Sequence, residues 1–589
     1  MRGDIGDKVK KRWWIAMLLG SEATLLVWAL EPGSSAAGAE PAGRITTEMI
    51  TGIGDFWVLA RDPPGGAPPL AEPFQRWVRL NGRTYRAHVY GRRSRQTSQR
   101  GIPLRGVAMG DTLALDSRVL RPLEPGEGLE PGTPITDLRA REQRLADAPA
   151  AVLAEMGGSI YRFGSRADLE GAEARLEAAE ARPGLEPGAA QALLLKGRSP
   201  KRDRGPLSTL ASDWTLGLKR VLIIRVDFSD LPGEPTGRDG TVYTAGYVQH
   251  VADTVIKPFF AASSYGMTPL SNTVTALYRM PQSASYYATN NASNQLHADA
   301  ETAASRDYVL ANYDRWLVLF SPLEGLPGSE LSYGGLTSVG TRLVWLNGEF
   351  DFRSVVHELG HTFGLYHADL WQVSDGNPVS ASGTEVDGGD VFDPMGYNFG
   401  NDPRTDFNPS FKWLLGWMSD AQVLTVTHSG TYRVQRFDTA SASGVLALRL
   451  ARDSWRDYWI SIRRNFTNLA AMENGAYVIW GFGQDHHSDL LDLTTPGANV
   501  WDAALGVDHT LRDPVPRISV QPVAQGGDGP GQYLDIAIDL LLTITGQPTN
   551  QIVRLGQTTT FTVATDGEPA PTYCWQRQPA GNNTWSDVT

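Results

Sequence analysis

Residues 352–367 read Phe-Arg-Ser-Val-Val-His-Glu-Leu-Gly-His-Thr-Phe-Gly-Leu-Tyr-His, and they constrain the fold more than any other stretch. His357 and His361 are four residues apart, so on a helix both imidazoles project from one face and can reach one ion. At ~100° per residue, Phe352, Val355, Val356, Leu359 and Phe363 form an apolar stripe on roughly the opposite side. The spacing therefore predicts a helix with its back in a core and its histidines facing a cleft. Asp351 is a natural N-cap, because its carboxylate can accept an orphan amide of the first turn. Gly364 is the natural stop, since glycine readily takes the left-handed conformation that ends a helix. The turn it makes carries His367 back toward the first two histidines.

Three neutral imidazoles leave one position of a tetrahedral zinc open for water, the arrangement of a catalytic rather than a structural site. His357, His361 and His367 are the metal ligands on this reading. Glu358 is the general base, taking a proton from the water and delivering it to the leaving amine. The bland alternative is a surface helix with scattered histidines. His-Glu-x-x-His alone is short enough to arise by chance, whereas the added glycine and third histidine make the pattern specific. With a downstream Met-turn it is the metzincin signature. Asp390-Val-Phe-Asp393-Pro394-Met395-Gly396-Tyr397 lies where that turn belongs. Met395 is expected to form a soft apolar floor beneath the imidazoles. The Tyr397 hydroxyl can stabilise a developing oxyanion, with a packing role as the alternative. Asp387, Asp390 and Asp393 suggest calcium, but they lack the spacing of a calcium loop and turn-forming aspartates explain them better.

At 589 residues the chain exceeds one core, and about three to five domains are expected. A charged fraction of 20% and an apolar fraction of 41% describe globular material rather than a disordered chain. The net charge of −12 argues against nucleic acid as a partner. Cys574 is the single cysteine, so no intramolecular disulfide forms and no cysteine from the N-terminal region can hold a zinc site latent. That usage fits a bacterial exporter better than an animal extracellular protein. Lys8, Lys10, Lys11 and Arg12 precede the mostly apolar Trp13–Leu30, and Ala37-Gly38-Ala39 offers a cleavage site. Residues 1–39 are thus expected to be a signal peptide of a secreted protein. Glu22 interrupts the apolar run and argues against a stable membrane span.

Residues 40–130 read as a small N-terminal β domain and prosegment. Trp77–Leu80, Asn81-Gly82 and Arg83–Tyr90 form a hairpin pattern. Nine arginines between Arg76 and Arg105 suggest either an anion-binding surface or, more simply, a solvated domain that complements an acidic one. Residues 131–214 read as helical segments, at 139–156 and 167–182, followed by a basic linker at 196–206 that invites nicking. A peptidase domain is expected over 215–421, opening on the buried-strand pattern Arg220–Phe228, with a helix over 244–263 and a second strand at Asp314–Phe320. Arg342–Asn347 is the expected edge strand to which an extended peptide adds. A β-sandwich is expected over 422–543, with His486 and His487 in a polar loop or, less simply, a second metal site. Residues 544–589 read as an incomplete Ig-like module.

The chain from about 215 to 540 resembles the gametolysin-like metallopeptidases, a family within the metzincins. The resemblance is carried by Val226-Asp227-Phe228-Ser229-Asp230, Ser264-Tyr265-Gly266, the motif at 357–367, Gly389-Asp390 through Asp393-Pro394-Met395-Gly396, Phe407-Asn408-Pro409 and Leu415-Gly416-Trp417. It implies a multidomain α+β protein in which a metzincin-type domain, a twisted mixed sheet with an active-site helix, stands between the N-terminal β domain and the β-sandwich. The implied activity is that of a secreted zinc metalloendopeptidase whose partners are extracellular or cell-wall-associated proteins or peptides. The competing expectation is a surface adhesin built on a protease-like scaffold, which need not retain both the ligands and the base.

Overall fold

The computed structural model describes residues 49–64, 70, 73–90, 98–109, 112–116, 209–397, 402–453, 456–482, 486–497 and 499–540, with shorter pieces at 28–29, 152–156, 159–163 and within 543–587. Near the N-terminus five strands curl into a barrel: β1 (Met49–Asp62), β2 (Phe74–Leu80), β3 (Arg83–Tyr90), β4 (Gln99–Met109) and β5 (Thr112–Asp116). Their order, β1-β2-β3-β5-β4 with β4 returning to β1 and β3 parallel to β5, is that of an OB-type barrel. Asn81 and Gly82 make the β2–β3 turn at φ 52° and 78°, as their sequence predicts. Alternate residues of β1, Phe56, Val58 and Ala60, point inward and are buried with Val78, Leu104 and Leu113.

β1 is longer than the barrel needs. Its last residues leave it and join the sheet of the next unit, built from β6 (Lys219–Asp227), β7 (Leu270–Arg279), β8 (Arg315–Phe320), β9 (Gly335–Ser338) and β10 (Leu343–Asn347). The order β7-β6-β8-β10-β9-β1 runs four parallel strands into antiparallel β9 and then β1. Val221–Val226 is buried on both sheet faces, which is why β6 reads as an apolar run broken only by Arg225. One face is covered by α1 (Ala245–Val251), a π-helical turn at Ala252–Ile256 and α2 (Lys257–Ser263), together with the histidine-bearing helix α5 (Phe352–Thr362). The other is covered by α3 (Ala284–Thr289) and α4 (Ser293–Ala304). β10 is therefore an interior strand, not the edge predicted for Arg342–Asn347. β9 is the last of this unit's own five strands, its outer side is covered by β1, and its Gly-Leu-Thr-Ser sequence carries no strand pattern.

After α5 the chain runs through β11 (Ala368–Gln372), β12 (Thr384–Val386), α6 (Pro409–Leu414) and β13 (Val423–Thr425). Then come β14 (Gly430–Gln435), β15 (Ala447–Ala451), β16 (Asp457–Ser461), β17 (Tyr477–Gly481) and β18 (Ser488–Leu491). The last are β19 (Leu511–Asp513), β20 (Ile518–Gly526) and β21 (Tyr533–Leu540). A seven-stranded sheet, β12-β11-β18-β17-β16-β15-β13, and a four-stranded one, β14-β21-β20-β19, share an apolar core through Ile460, Val478, Val520 and Ile536. The larger sheet crosses the expected boundary at 421, because β11, which continues directly from His367, pairs in parallel with β18. With 18% helix and 34% strand, the molecule is a multidomain α+β protein of mixed sheets.

The expected helix over 139–156 is not what forms at its end. Val152–Met156 pairs with Ser159–Phe163 as an antiparallel hairpin, and Trp28–Ala29 adds to it. The expected helix at 167–182, the basic linker and most of the signal segment lie outside the described residues. In the expected Ig-like module, Thr543–Gly546 pairs with Ala564–Asp566 and Gln576–Arg577 with Ser586–Asp587. Among the described residues, no helix is long and apolar enough to cross a membrane.

Candidate metal centre

Helix α5 begins and ends as its sequence predicts. Asp351 caps it by accepting the Ser354 amide (2.8 Å), and Gly364 follows at φ 97°. His486, from the C-terminal β unit, locks the turn: its Nδ1 pairs with Gly364 O (3.0 Å), and its carbonyl accepts the Tyr366 amide (2.9 Å). Burial lowers its pKa to about 4, so this contact is made by a neutral ring. The loop of His486 and His487 thus positions His367. His487 itself faces Asp369, Glu385 and Asp489, with ligand atoms within 4.8 Å of one another.

His357, His361 and His367 converge, and each presents Nε2 to the same point. Their Nδ1 atoms are occupied by Pro394 O (2.7 Å), Leu365 O (2.8 Å) and Asp387 Oδ1 (2.8 Å) respectively. The two carbonyls can only accept, so His357 and His361 carry their protons on Nδ1 and turn Nε2 lone pairs inward. A fourth group stands among them. The Asp62 carboxylate, at the end of β1, lies 3.1 Å from His357 Nε2, 3.1 Å from His367 Nε2 and 3.6 Å from His361 Nε2. All four ligand atoms lie within 4.8 Å of one another and all four residues are buried. The position expected to be open for water is thus taken by a carboxylate.

The donor set fits a metal ion. The Nε2 atoms of His357 and His361 approach to 3.1 Å, lone pair against lone pair, and Asp62 Oδ2 is buried with no hydrogen-bond partner. A divalent cation at the centre would satisfy all of these groups together. Burial alone would raise the Asp62 carboxyl, but the three imidazoles hold it well below the usual carboxylate range. Burial lowers His361 to about 4. His367 resists the same burial and is raised to about 10 by Asp387 and Asp62.

Glu358 lies beside this cluster and is buried. Thr337 on β9 donates its hydroxyl to Oε2 (2.5 Å), and burial followed by the charge of Asp62 pushes the Glu358 carboxyl well up. Gly335 makes its place possible: a Cβ there would stand 1.7 Å from Glu358 Oε1. Gly360 does the same for Met395, since its Cβ would stand 2.2 Å from Met395 Sδ. Met395 is fully buried, packed on α5 at Gly360 within the same apolar core as Val356, Leu359 and Phe407.

Tyr397 lies with its ring near those of His357 and His367 (centroids 6.5 and 5.5 Å), but its hydroxyl donates to Asp387 Oδ2 (2.7 Å). In this state it braces Asp387 and through it His367, rather than facing the cluster as an oxyanion donor. Burial, then Asp62 and Asp387, raise its pKa. The three aspartates suggested for calcium form no common ligand group among the described residues. Asp390 accepts the Phe392 amide and the Tyr477 hydroxyl, and Asp393 accepts the amides of Met395 and Asn408, so both build the turn.

The other motif pieces hold the unit together. Asp227 pairs with Arg279 and the Gly233 amide, and Asp230 caps α3 at Ala284 and Ser285. Tyr265, at φ 53°, reaches Phe437 O; Asn408 caps α6; and Trp417 donates to Thr268. Sequence reasoning missed Asp62, Phe74, Thr337, Gly335 and Gly360. For Asp62 the one local signal is its place before Pro63-Pro64 at the end of a strand. No protein-family model matches this chain, and no curated protein matches it.

Proposed function

We propose that this chain is a secreted zinc metalloendopeptidase of the metzincin type, acting on extracellular or cell-wall-associated proteins. One observation carries the reading: three imidazoles present Nε2 to one point, each fixed by a partner on Nδ1, with a buried carboxylic acid one residue from the first of them. The mixed sheet whose own strands end in antiparallel β9, helix α5 packed against it, and Met395 buried on that helix at Gly360 support the finer class. His357, His361 and His367 would hold the metal. Zinc bound there supplies Lewis acidity toward a peptide carbonyl.

Everything else is work for the chain's own residues. A substrate in extended form adds its backbone to β9, which aligns the scissile bond beside the histidines. Glu358 accepts the proton of the attacking water and passes it to the leaving amine, and Thr337 fixes which carboxylate oxygen faces the water. Asp387, braced by Tyr397, keeps the His367 ring in register.

The test assays the zinc-loaded chain on denatured casein, before and after limited proteolysis. Chelator-sensitive cleavage that is lost in Glu358→Gln while zinc is retained is the expected result. Cleavage kept by Glu358→Gln, or absent from both forms of the unsubstituted chain, overturns the reading.

A further inference from the structure

The strand that reaches the metal centre does not belong to the unit that builds it. Residues 59–62 of β1 pair antiparallel with β9 in the register Leu59–Ser338, Ala60–Thr337, Arg61–Leu336 and Asp62–Gly335. The ladder is extended at both ends, by the Gly334 amide on Asp62 O (2.8 Å) and the Val339 amide on Val58 O (2.9 Å). Ser98 of the barrel adds a side-chain tie through Ser338 Oγ (3.0 Å). Pro63 and Pro64 then remove two successive amide donors, which ends the ladder at the metal centre. From β2, Phe74 lays its ring on His367 and Tyr366 (centroids 4.6 and 4.3 Å) and its edge on His361 (5.8 Å).

A plain contact between two folded units needs the backbone ladder and nothing more. Here a carboxylate is driven into a buried cluster of three imidazoles. The Nε2 atoms of His357 and His361 stand 3.1 Å apart with the carboxylate beside them and Asp62 Oδ2 lacking a hydrogen-bond partner, a convergence of acceptors that a cation at the same point explains. The backbone of residues 59–62 lies where an extended substrate would add, and the side chain lies where a water or substrate carbonyl would sit.

We infer that the N-terminal barrel is an intramolecular inhibitor of this site: Asp62 is the fourth ligand of the metal, and residues 59–62 occupy the substrate's strand position on β9. The inference rests on the peptidase reading and extends it. The chain is silent while β1 is paired with β9, and becomes competent when that strand leaves.

The full chain with Co²⁺ in place of zinc tests this directly. In the unsubstituted protein, adding acetohydroxamate leaves the visible cobalt spectrum unchanged because no position is free. A prompt spectral response there overturns the inference without any variant. Asp62→Ala and the near-isosteric Asp62→Asn, both checked for fold by circular dichroism, change the cobalt spectrum and respond to acetohydroxamate. They weaken zinc binding by at least about 10-fold in competition with a chromophoric chelator, and hydrolyse casein at least about tenfold faster than the unsubstituted full chain. A spectrum and zinc affinity identical to the unsubstituted chain overturn the role of Asp62, even where cleavage is present. Altered spectrum and affinity with no cleavage at saturating zinc keep Asp62 as a ligand and overturn the peptidase reading instead.

Discussion

Gly360 offers a prediction whose sign runs against ordinary helix chemistry. In a helix interior, replacing glycine by alanine normally stabilises by about 1 kcal/mol. At Gly360 the added Cβ would stand 2.2 Å from Met395 Sδ, with Met395 Cε and Phe407 Cε1 both at 3.3 Å. Ordinary contact begins at 3.4 Å, so the sulfur must retreat by more than an ångström into a core that has no slack. Overpacking of that kind typically costs ~1–3 kcal/mol. Gly360→Ala is therefore expected to lower the calorimetric midpoint of the unit that holds α5, at roughly 2–4 °C per kcal/mol for a unit of this size. In a Met395→Ala background the obstacle is gone. The same substitution should there become neutral or stabilising by up to about 1 kcal/mol. A stabilising effect of Gly360→Ala with Met395 in place, or the same loss in both backgrounds, refutes the account of how Met395 packs.

Two further substitutions test the surroundings. Asp387→Asn leaves at most one good acceptor for two donors, His367 Nδ1 and the Tyr397 hydroxyl. Zinc affinity, measured by chelator competition, should fall on the order of 10–100-fold, and an unchanged affinity contradicts the bracing role. Burial works against ionised Asp227, but the Arg279 guanidinium and the Gly233 amide outweigh it and hold its pKa below 3.8. A carboxyl depressed in the folded state adds stability that is complete above its unfolded pKa and fades as pH falls through the folded one. The gap in thermal midpoint between the unsubstituted chain and Asp227→Asn should thus be full at pH 7 and narrow as pH falls below about 3.8; a gap that does not narrow with falling pH contradicts it.

What was legible in the sequence is what local physics decides. The α5 stripe, the Asp351 cap, the stop at Gly364 and the Asn81-Gly82 turn each follow from residues within a few positions of one another. So does the buried run that became β6. The rest depends on approach between distant segments. Asp62 and His367 stand 305 residues apart in sequence, and nothing around Asp62 announces a ligand. Gly335 and Gly360 look like ordinary glycines until Glu358 and Met395 are seen beside them. β9 has no alternation to read, because it is buried on both faces and held by its two neighbours. The stretch ending at Met156 is alanine- and glutamate-bearing, and so reads as helix. Its last residues instead pair with Ser159–Phe163, a choice that helix propensity does not foresee.

The most direct measurement is made in the full chain at saturating zinc: the rate of casein cleavage by Asp62→Ala against that by Asp62→Ala combined with Glu358→Gln. Both proteins are predicted to hold zinc equally. The first should cleave, and the second should be slower by at least about 10²-fold. Equal rates would contradict Glu358 as the base, and with it the reading of the site as a peptidase.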